Sequence, residues 1–488
     1  MVGRVHFDAL FDPKGVVVAG ASSHPGKFGF VSLHNILRGG YQGRVQATNL
    51  NGETVLGIET VASLDDLDDG SFDLVFVCTP ASTSLDLLRA AHRKGAKAVF
   101  LTNAGYGEAG ESGQRAQDQL VAVAEELDML VAGPNGQGVV STPSNLCAQI
   151  VAPYPPAGGI GLASQSGNFV SSFMNYATAS GIGISRAVSA GNAAQVTVGD
   201  YLEYFAGDEA TSVGLAYIEG VGDGRELYER FRTIAEKMPL VVVRGGATAG
   251  GAQAAASHTG ALAADDAVFD GMCAQAGVVR APTIESAFDI AATFATQPLP
   301  KGPNTCVLTT AGGWGVVTAD AIHRSSLTLM DLPADLRDAI DAKLPPRWSR
   351  SNPVDLAGAE TRDTIPEVMQ MIAEHPDVDA IVYIGLGIQT NQATLMKTGP
   401  YYPEHGTGRI VEFHERQDER YAAAACDISV ATGKPILTAT ELAVTNPSNS
   451  GPAAVRTSGR FCYPSSNRAV AALDAVWRTV LHRAARAS

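Results

Sequence analysis

The feature that most constrains this chain is a repeated unit: a strand-length, nearly continuous apolar run that ends in a turn of small residues. Val16-Val17-Val18-Ala19 runs into Gly20, and Leu74-Val75-Phe76-Val77 runs into Cys78-Thr79-Pro80. Ala98-Val99-Phe100-Leu101 runs into Thr102-Asn103-Ala104-Gly105. Continuous rather than alternating hydrophobicity marks strands covered on both faces, as in a parallel sheet. Longer segments, several of helix length, separate the runs. The order is therefore βαβα, and a doubly wound α/β fold is expected.

Two proline-rich breaks, at 151–159 and 297–303, divide the 488 residues. Proline continues neither a helix nor a central strand, so both breaks read as linkers. After each one the rhythm restarts. Ile160-Gly161-Leu162-Ala163 leads into Ser164-Gln165-Ser166-Gly167, and Cys306-Val307-Leu308-Thr309-Thr310 leads into Ala311-Gly312-Gly313-Trp314-Gly315. Three successive α/β domains are expected, at 1–150, 151–298 and 299–488. Val470, Leu473, Val476, Trp477 and Val480 recur at helical spacing and predict a docked helix at the end of the chain.

Composition narrows the function. Hydrophobic residues make up 45 % and charged residues 17 %, enough for a core in each domain. Fifty acidic against 35 basic side chains leave a net charge of −15, which argues against a nucleic-acid partner. No apolar run approaches the roughly 18 residues of a membrane span, and the start of the chain has no apolar signal core. The expectation is a cytoplasmic protein without a membrane contact. The six cysteines lie far apart with no CxxC or Cys/His spacing, so free thiols and no metal site are expected.

The turns carry the chemistry. Gly20 to Gly29 joins a strand to a helix through glycines, a geometry that presents backbone N–H groups to a nucleotide phosphate. It is not GxGxxG, and the second strand, Arg44-Val45-Gln46-Ala47-Thr48, ends in Asn49-Leu50-Asn51 rather than in the Asp or Glu that holds a ribose hydroxyl. An adenine nucleotide other than NAD fits better. Gly133-Pro134-Asn135-Gly136-Gln137-Gly138 ends another strand and reads either as a plain turn or as a second wall of the same pocket. Ser164-Gln165-Ser166-Gly167-Asn168 reads either as ordinary N-capping or as an anion site. Gly312-Gly313 reads either as a plain Gly-rich turn or as a repeat of that device, and two such helix ends, each with about half a positive charge, suit one doubly charged group. The loop Gly245 to Gly260 surrounds His258 with Gly, Ala and Ser, leaving room for a bulky, charged adduct or for movement; a lone histidine is usually structural, but one among such small residues has fewer packing reasons to be there. Glu219, in Ile218-Glu219-Gly220, ends a strand. It is either a solvated strand end or a carboxylate that holds one imidazole N–H and leaves the other nitrogen nucleophilic.

Taken in order, these motifs resemble the α subunit of the nucleoside-diphosphate-forming acyl-CoA synthetases, the ADP-forming acetyl-CoA synthetase type related to succinyl-CoA synthetase. Asn352-Pro353-Val354-Asp355-Leu356 and, more weakly, Tyr463-Pro464-Ser465 add to the resemblance, which covers nearly the whole chain. It implies a Rossmann-like CoA-binding domain followed by two flavodoxin-like domains. It implies that acyl-CoA and phosphate give an acyl phosphate and CoA, and that the phosphoryl group passes to His258 and then to ADP or GDP. Glu219 would orient His258, and the helix starts at Ser166-Gly167 and Gly312-Gly313 would cradle the phosphoryl group. Gly20, Ala21, Ser22, Lys27, Asn49, Cys78, Thr79, Pro80, Asn103, Ala104 and Asn135 would contact CoA.

No ATP-grasp module is recognisable in the chain. The resemblance therefore implies a separate β subunit that binds ADP or ATP with Mg²⁺, in an α2β2 assembly, and a small carboxylic acid or acyl-CoA as substrate. The chain departs from the family at Gly136, where Cys or Ser is usual, around Asn51, where a lysine is usual, and at Trp314, where proline is usual. The polar segment 390–425 reads as an insertion. A non-catalytic CoA sensor is the competing reading, and the presence of both His258 and Glu219 favours catalysis. An NAD-dependent dehydrogenase is disfavoured by the missing ribose carboxylate.

Overall fold

The computed structural model describes every residue except Met1, Ala152, Ala249, Ala252, 254–264, 357–362 and Ser488. The chain forms two compact units, one of Met1–Ala179 with Gly183–Ala287, the other of Ser180–Ile182 with Phe288–Ser488.

The first unit holds two sheets. In the first sheet, β1 (Gly15–Ala19), β2 (Arg44–Thr48), β3 (Leu74–Val77), β4 (Ala98–Leu101) and β5 (Leu130–Ala132) are ordered β2-β1-β3-β4-β5, all parallel. The apolar runs are its strands, and β1, β3 and β4 are buried at every position. The order reverses between β1 and β3, the place where open α/β sheets take their ligands.

The second sheet comprises β6 (Gly138–Ser141), β7 (Leu146–Gln149), β8 (Ala157–Ser164), β9 (Ile184–Ser189), β10 (Val213–Ile218), β11 (Leu240–Arg244) and β12 (Val279–Ala281). Its order is β12-β11-β10-β8-β9-β6-β7. It is parallel except for β6, which runs antiparallel to β9 and β7. The hairpin β6–β7 thus enters the second sheet before the proline-rich break at 151–159 is reached. A hairpin whose edge pairs with β9 satisfies its backbone there, which a linker reading based on proline alone does not foresee.

Side chains join these two sheets into one unit. Arg186, 3 % exposed, pairs with Asp12 at 2.7 Å and Asp208 at 3.2 Å. A buried cation left without either partner would be strongly destabilising. Phe11 stacks on Tyr204 with centroids 5.3 Å apart, and Phe7 packs edge-on against Tyr201.

The second unit is built on β13 (Asn304–Thr309), β14 (Thr328–Leu329), β15 (Val354–Asp355), β16 (Ala380–Ile384), β17 (Ile436–Ala439) and β18 (Cys462–Tyr463). The order is β14-β13-β16-β17-β18, with β15 also paired to β13, and every pair is parallel. The helix expected at the end of the chain runs Ser466–Ala487. The polar segment 390–425 is covered by two helices, Ile388–Lys397 and Thr407–Thr432, joined by turns at 398–406. Asp418 on the second, 1 % exposed, accepts from the N–H of Gly387 at 3.0 Å and of Thr390 at 2.7 Å, so a distant carboxylate closes the start of the first. Burial pushes the Asp418 carboxyl up, against the pull of those donors.

All six cysteines are free thiols. No described helix is long and apolar enough to cross a membrane. Among the described residues no cluster of His, Cys, Asp and Glu could hold a metal ion.

Candidate active site

A cavity of about 770 Å³ opens at the C-terminal edges of the two sheets of the first unit. Six predicted residues line it: Asn103, Ala104, Asn135, Ser166, Gly167 and Glu219. Parallel strands of two adjacent sheets bring their turns to one edge, which is why residues more than a hundred positions apart meet.

Glu219 follows the last residue of β10, and the side chain of Gln165 fixes its backbone. Gln165 Oε1 accepts from Glu219 N–H at 2.6 Å and Gly220 N–H at 3.1 Å, while its Nε2 donates to the Gly220 carbonyl at 3.3 Å. The next residue opens the helix turn. Ser166 N–H donates to Ser164 Oγ at 3.1 Å, and that hydroxyl donates to the Ser166 carbonyl at 2.7 Å. The helix Gly167–Ser180 starts there, its first N–H groups lacking intrahelical acceptors. Gln165 therefore ties the carboxylate to the anion-binding end of a helix.

Tyr217 stands two residues before Glu219, and its phenol hydrogen-bonds the Glu219 carboxylate. Burial first, and then that negative charge, push the Tyr217 hydroxyl well above its ordinary pKa, so it stays a neutral donor. Gly245, which follows β11, lies directly over this pair. A Cβ at Gly245 would fall 2.3 Å from Tyr217 Oη and 3.2 Å from Glu219 Cγ. Arg244 reaches the Asp265 carbonyl at 3.3 Å and Asp266 at 3.4 Å and covers the Phe269 ring at 4.7 Å. His258 itself lies outside the described residues.

The walls of the cavity are rich in amides and carboxylates. Burial would push Glu108 up, but hydrogen bonds from Asn192 and from the N–H groups of Gly105 and Tyr106 hold it below the usual carboxylate range. The guanidinium of Arg230 is matched by Asp200, Glu203 at 3.4 Å and Glu226 at 2.8 Å. An anion in this cavity is thus met by backbone and side-chain N–H dipoles. Asn103 Oδ1 and Gln137 Oε1 are buried acceptors with no hydrogen-bond partner among the described residues. Both residues line the cavity, so a ligand that brings N–H donors would satisfy them.

The other predicted cofactor contacts lie outside the walls of this cavity: Gly20, Ala21, Ser22, Asn49, Cys78, Thr79 and Pro80 sit at the ends of β1, β2 and β3, and Lys27 precedes the helix Phe28–Gly39. Gly20 has φ +85°, and a Cβ there would meet Thr79 Cγ2 at 2.6 Å. Asn49 spends its amide on structure, donating to the Ala21 carbonyl at 2.9 Å and accepting from Asn51 N–H at 2.9 Å. Ser22 Oγ accepts from His24 N–H at 3.1 Å. Burial pushes the Cys78 thiol up to about 11, despite hydrogen bonds to Ser32 and Thr102, so it is not a thiolate at neutral pH.

The departure at Gly136 has a physical reason. A Cβ there would stand 2.6 Å from Phe100 Cζ and 2.7 Å from the Ser189 carbonyl. Phe100 stacks on Phe76 at 5.2 Å, and its ring occupies the space a serine or cysteine side chain would need.

In the second unit, the helix Gly312–His323 starts at the end of β13, capped by no side chain at Ala311. A Cβ on Gly313 would meet nothing within 4 Å, whereas one on Gly312 would meet Asp355 Oδ2 at 2.6 Å. Trp314 is half exposed and lines a separate small cavity of that unit.

Sequence reasoning missed Gln165, Gln137, Tyr217, Glu108 and Asn192. Tyr217 was within reach, since residues two apart at a strand end share a face. Gln165 acts through backbone groups 54 and 55 residues away, and Asn192 through the distant side chains of Glu108 and Gln117, pairings that no local pattern connects.

Comparison with known proteins gives the family of the chain. Family models match a CoA binding domain at 14–142, a succinyl-CoA ligase like flavodoxin domain at 157–294 and a ligase-CoA domain at 305–394. The chain is 36 % identical over 381 residues to the acetate–CoA ligase [ADP-forming] I subunit alpha of Pyrococcus furiosus, covering 77 % of this chain and 82 % of that one. It is 32 % identical to the 4-hydroxybutyrate–CoA ligase [ADP-forming] of Nitrosopumilus maritimus, covering 76 % of this chain but 54 % of that longer one. Among solved structures, a dinucleotide forming acetyl-coenzyme A synthetase 1 of Ca. Korarchaeum cryptofilum, in complex with phosphate and ADP, superposes with a TM-score of 0.83 at 27 % identity, over 98 % of this chain and 97 % of that one.

Proposed function

The chain belongs to the family of ADP-forming acyl-CoA ligase α subunits, and from that premise we propose that it interconverts acyl-CoA, phosphate and ADP with a carboxylic acid, CoA and ATP, passing the phosphoryl group through an acyl phosphate and His258. The observation that carries this reading is the meeting of Glu219 and the Ser166-Gly167 helix start at one cavity, with Gly245 packed against Glu219.

Each part has a role. Glu219, held by Gln165 and Tyr217, takes one imidazole N–H of His258 and leaves the other nitrogen free to attack phosphorus. In the transfer the acyl–oxygen–phosphorus bridge breaks at phosphorus, the carboxylate leaves with the electron pair, and the N–P bond forms. The dianion then rests on free N–H groups at the start of Gly167–Ser180, where a helix end contributes about half a positive charge. The Gly312–Gly313 helix start is a second anion site of the same kind in its own unit. CoA lies along the first sheet's edge, with its pantetheine amides as donors for Asn103 and Gln137. On this reading the three functional modules are 1–150, 151–298 and 299–488. A partner β subunit carries an ATP-grasp module with Mg²⁺ and nucleotide, in an α2β2 assembly; the longer single-chain relative supports this division, since this chain spans 54 % of it.

The test separates the two half-reactions. The isolated chain should become labelled on His258 from an acyl phosphate, or from acyl-CoA plus phosphate. ATP should label it only after the β subunit is added. The adduct should be acid-labile and alkali-stable, lost in His258→Ala and kept in Ser257→Ala. Labelling of Ser166 or Ser257, or labelling of the pure chain from ATP, would overturn the proposal.

A further inference from the structure

Two adjacent strands of the third sheet, β13 and β16, each lead through a glycine-bearing turn into a helix. The helix after β13 is Gly312–His323, and the helix after β16 is Ile388–Lys397. Neither residue at the N-cap, Ala311 or Gly387, supplies a capping side chain. The same device thus occurs twice at one sheet edge, each time with unpaired N–H groups and about half a positive charge. The two starts differ in what fills them.

The start after β16 is filled from within the chain. Buried Asp418 accepts from Gly387 N–H at 3.0 Å with one oxygen, and with the other from the Thr390 N–H and the Thr390 hydroxyl, both at 2.7 Å. Buried Asn449 holds the same turn by donating to the Gly387 carbonyl at 3.0 Å. Ile388 lies between the two residues that Asp418 grips. Earlier in the turn, Gly385 packs on Thr310. A Cβ at Gly385 would fall 2.2 Å from Thr310 Oγ1, and Thr310 N–H donates to the Ile384 carbonyl at 3.4 Å. Gly385 and Ile388 line a cavity of about 60 Å³ whose walls also include Ala311 and Trp314, the residues on either side of Gly312-Gly313. Ser466 lines it too, and its buried Oγ has no hydrogen-bond partner among the described residues, so a polar guest has a place there.

We propose that Asp418 is a positioning residue of the ligase: it is the built-in anion of the β16 junction, and by occupying that helix start it fixes the turn from Gly385 to Ile388 against the Gly312-Gly313 start and leaves the latter to take the phosphoryl dianion. Two equivalent open starts at one sheet edge would divide an incoming anion between them, and an internal carboxylate removes one. Three donors already satisfy Asp418, so an anion from solvent gains nothing by displacing it. At the other start Asp355 faces Gly312, but a Cβ on Gly313 would meet nothing within 4 Å, so that side stays open. The polar segment 390–425 thereby acts on the chemistry without touching a substrate. The inference rests on the reading of the Gly312-Gly313 start as an anion site of the ligase and adds the residue that holds its wall.

The experiment uses the full chain labelled with fluorotryptophan and titrated with inorganic phosphate. The chain has three tryptophans, of which Trp348 and Trp477 are buried and Trp314 lines the cavity, so the Trp314 fluorine signal, assigned with Trp314→Phe, reports on this site. In Asp418→Ala the phosphate concentration that half-shifts the signal should rise about tenfold, as it does when a competent arrangement is held only about a tenth of the time. Formate, the size of the lost carboxylate, should restore the original midpoint in that variant and should not strengthen phosphate binding in the unaltered chain. If Asp418→Ala does not fold, Asp418→Asn serves, with the same direction of change. Ile372→Val, a core truncation of the same unit, should lower stability and leave the phosphate titration unchanged. An unchanged midpoint in a folded Asp418 variant, an equal shift in Ile372→Val, or no response of Trp314 to phosphate in the unaltered chain would overturn the proposal. Labelling of His258 separates this from the ligase reading. If His258 is labelled and the Asp418 variant titrates normally, the positioning role falls and the ligase reading stands. If His258 is never labelled and the Trp314 response still depends on Asp418, the ligase reading falls and the carboxylate's hold on the anion site stands.

Discussion

The two glycine-bearing helix starts look alike in sequence and differ in surroundings. At Ser166-Gly167 the turn is enclosed by neutral amides: Gln165 holds the neighbouring strand end, and a Cβ on Gly167 would stand 2.2 Å from Gln137 Cδ. At Gly312-Gly313 one glycine faces open space and the other faces the Asp355 carboxylate. A carboxylate beside a helix N-terminus matches the dipole that an incoming anion would otherwise meet. The comparison teaches that the strand–glycine–helix pattern specifies where N–H groups are exposed, while distant side chains set how much positive potential remains there.

The largest expected effect tests the carboxylate tied to the first helix start. Glu219→Gln keeps a hydrogen-bonding amide but cannot stabilise a developing imidazolium, so turnover should fall on the order of 10²–10⁴-fold. The thermal midpoint should barely move. Near-normal thioester formation in the variant would remove Glu219 from the chemistry.

Next comes the enclosure itself. Gly167→Ala drives a methyl group into Gln137, so His258 labelling from acyl phosphate should slow, and Gln137→Ala in the same chain should restore it. A double-mutant cycle should give a coupling of about 1 kcal/mol or more between the two sites. Additive effects would mean that the crowding at Gly167 has another source.

A stability measurement examines the neighbouring turn. Gly136→Ser should cost about 1–3 kcal/mol in denaturant unfolding, because the added atoms meet Phe100 and the Ser189 carbonyl. Phe100→Leu should recover part of the loss. No loss in the single variant would show that the ring moves aside freely.

The smallest effect belongs to the open glycine of the second unit. Gly313→Ala adds a methyl group to open space and reduces backbone entropy in the unfolded chain, so stability should rise by less than about 1 kcal/mol. Destabilisation on the same scale would mean that the space around Gly313 is needed by the fold.

Much of the architecture was legible because hydrophobic periodicity is a local property. Val16–Ala19, Leu74–Val77 and Ala98–Leu101 are strands for the reason their apolar continuity implies, and the turn after the last of them carries two of the cavity's six predicted residues, Asn103 and Ala104. The hairpin Gly138–Gln149 was not legible as part of the second sheet, since strand partners are chosen by edges that lie far apart in the chain. The segment 390–425 was polar enough to look like an insertion. Its order comes from Asp418 closing a helix start 28 residues earlier, a contact invisible to any local window.

What the sequence determined by itself is the set of groups available for chemistry and their order: exposed N–H groups at glycine turns, Glu219 at a strand end, and His258 in a loop of small residues. Backbone geometry follows from local composition, so these could be read directly. Only the tertiary structure decided which side chains hold them. Gln165 grips the Glu219 backbone, Phe100 requires glycine at 136, and Asp355 confronts Gly312. Each of these depends on the distance between groups brought together by sheet order, and a distance of 3 Å between residues far apart in sequence exists only once the sheets have formed.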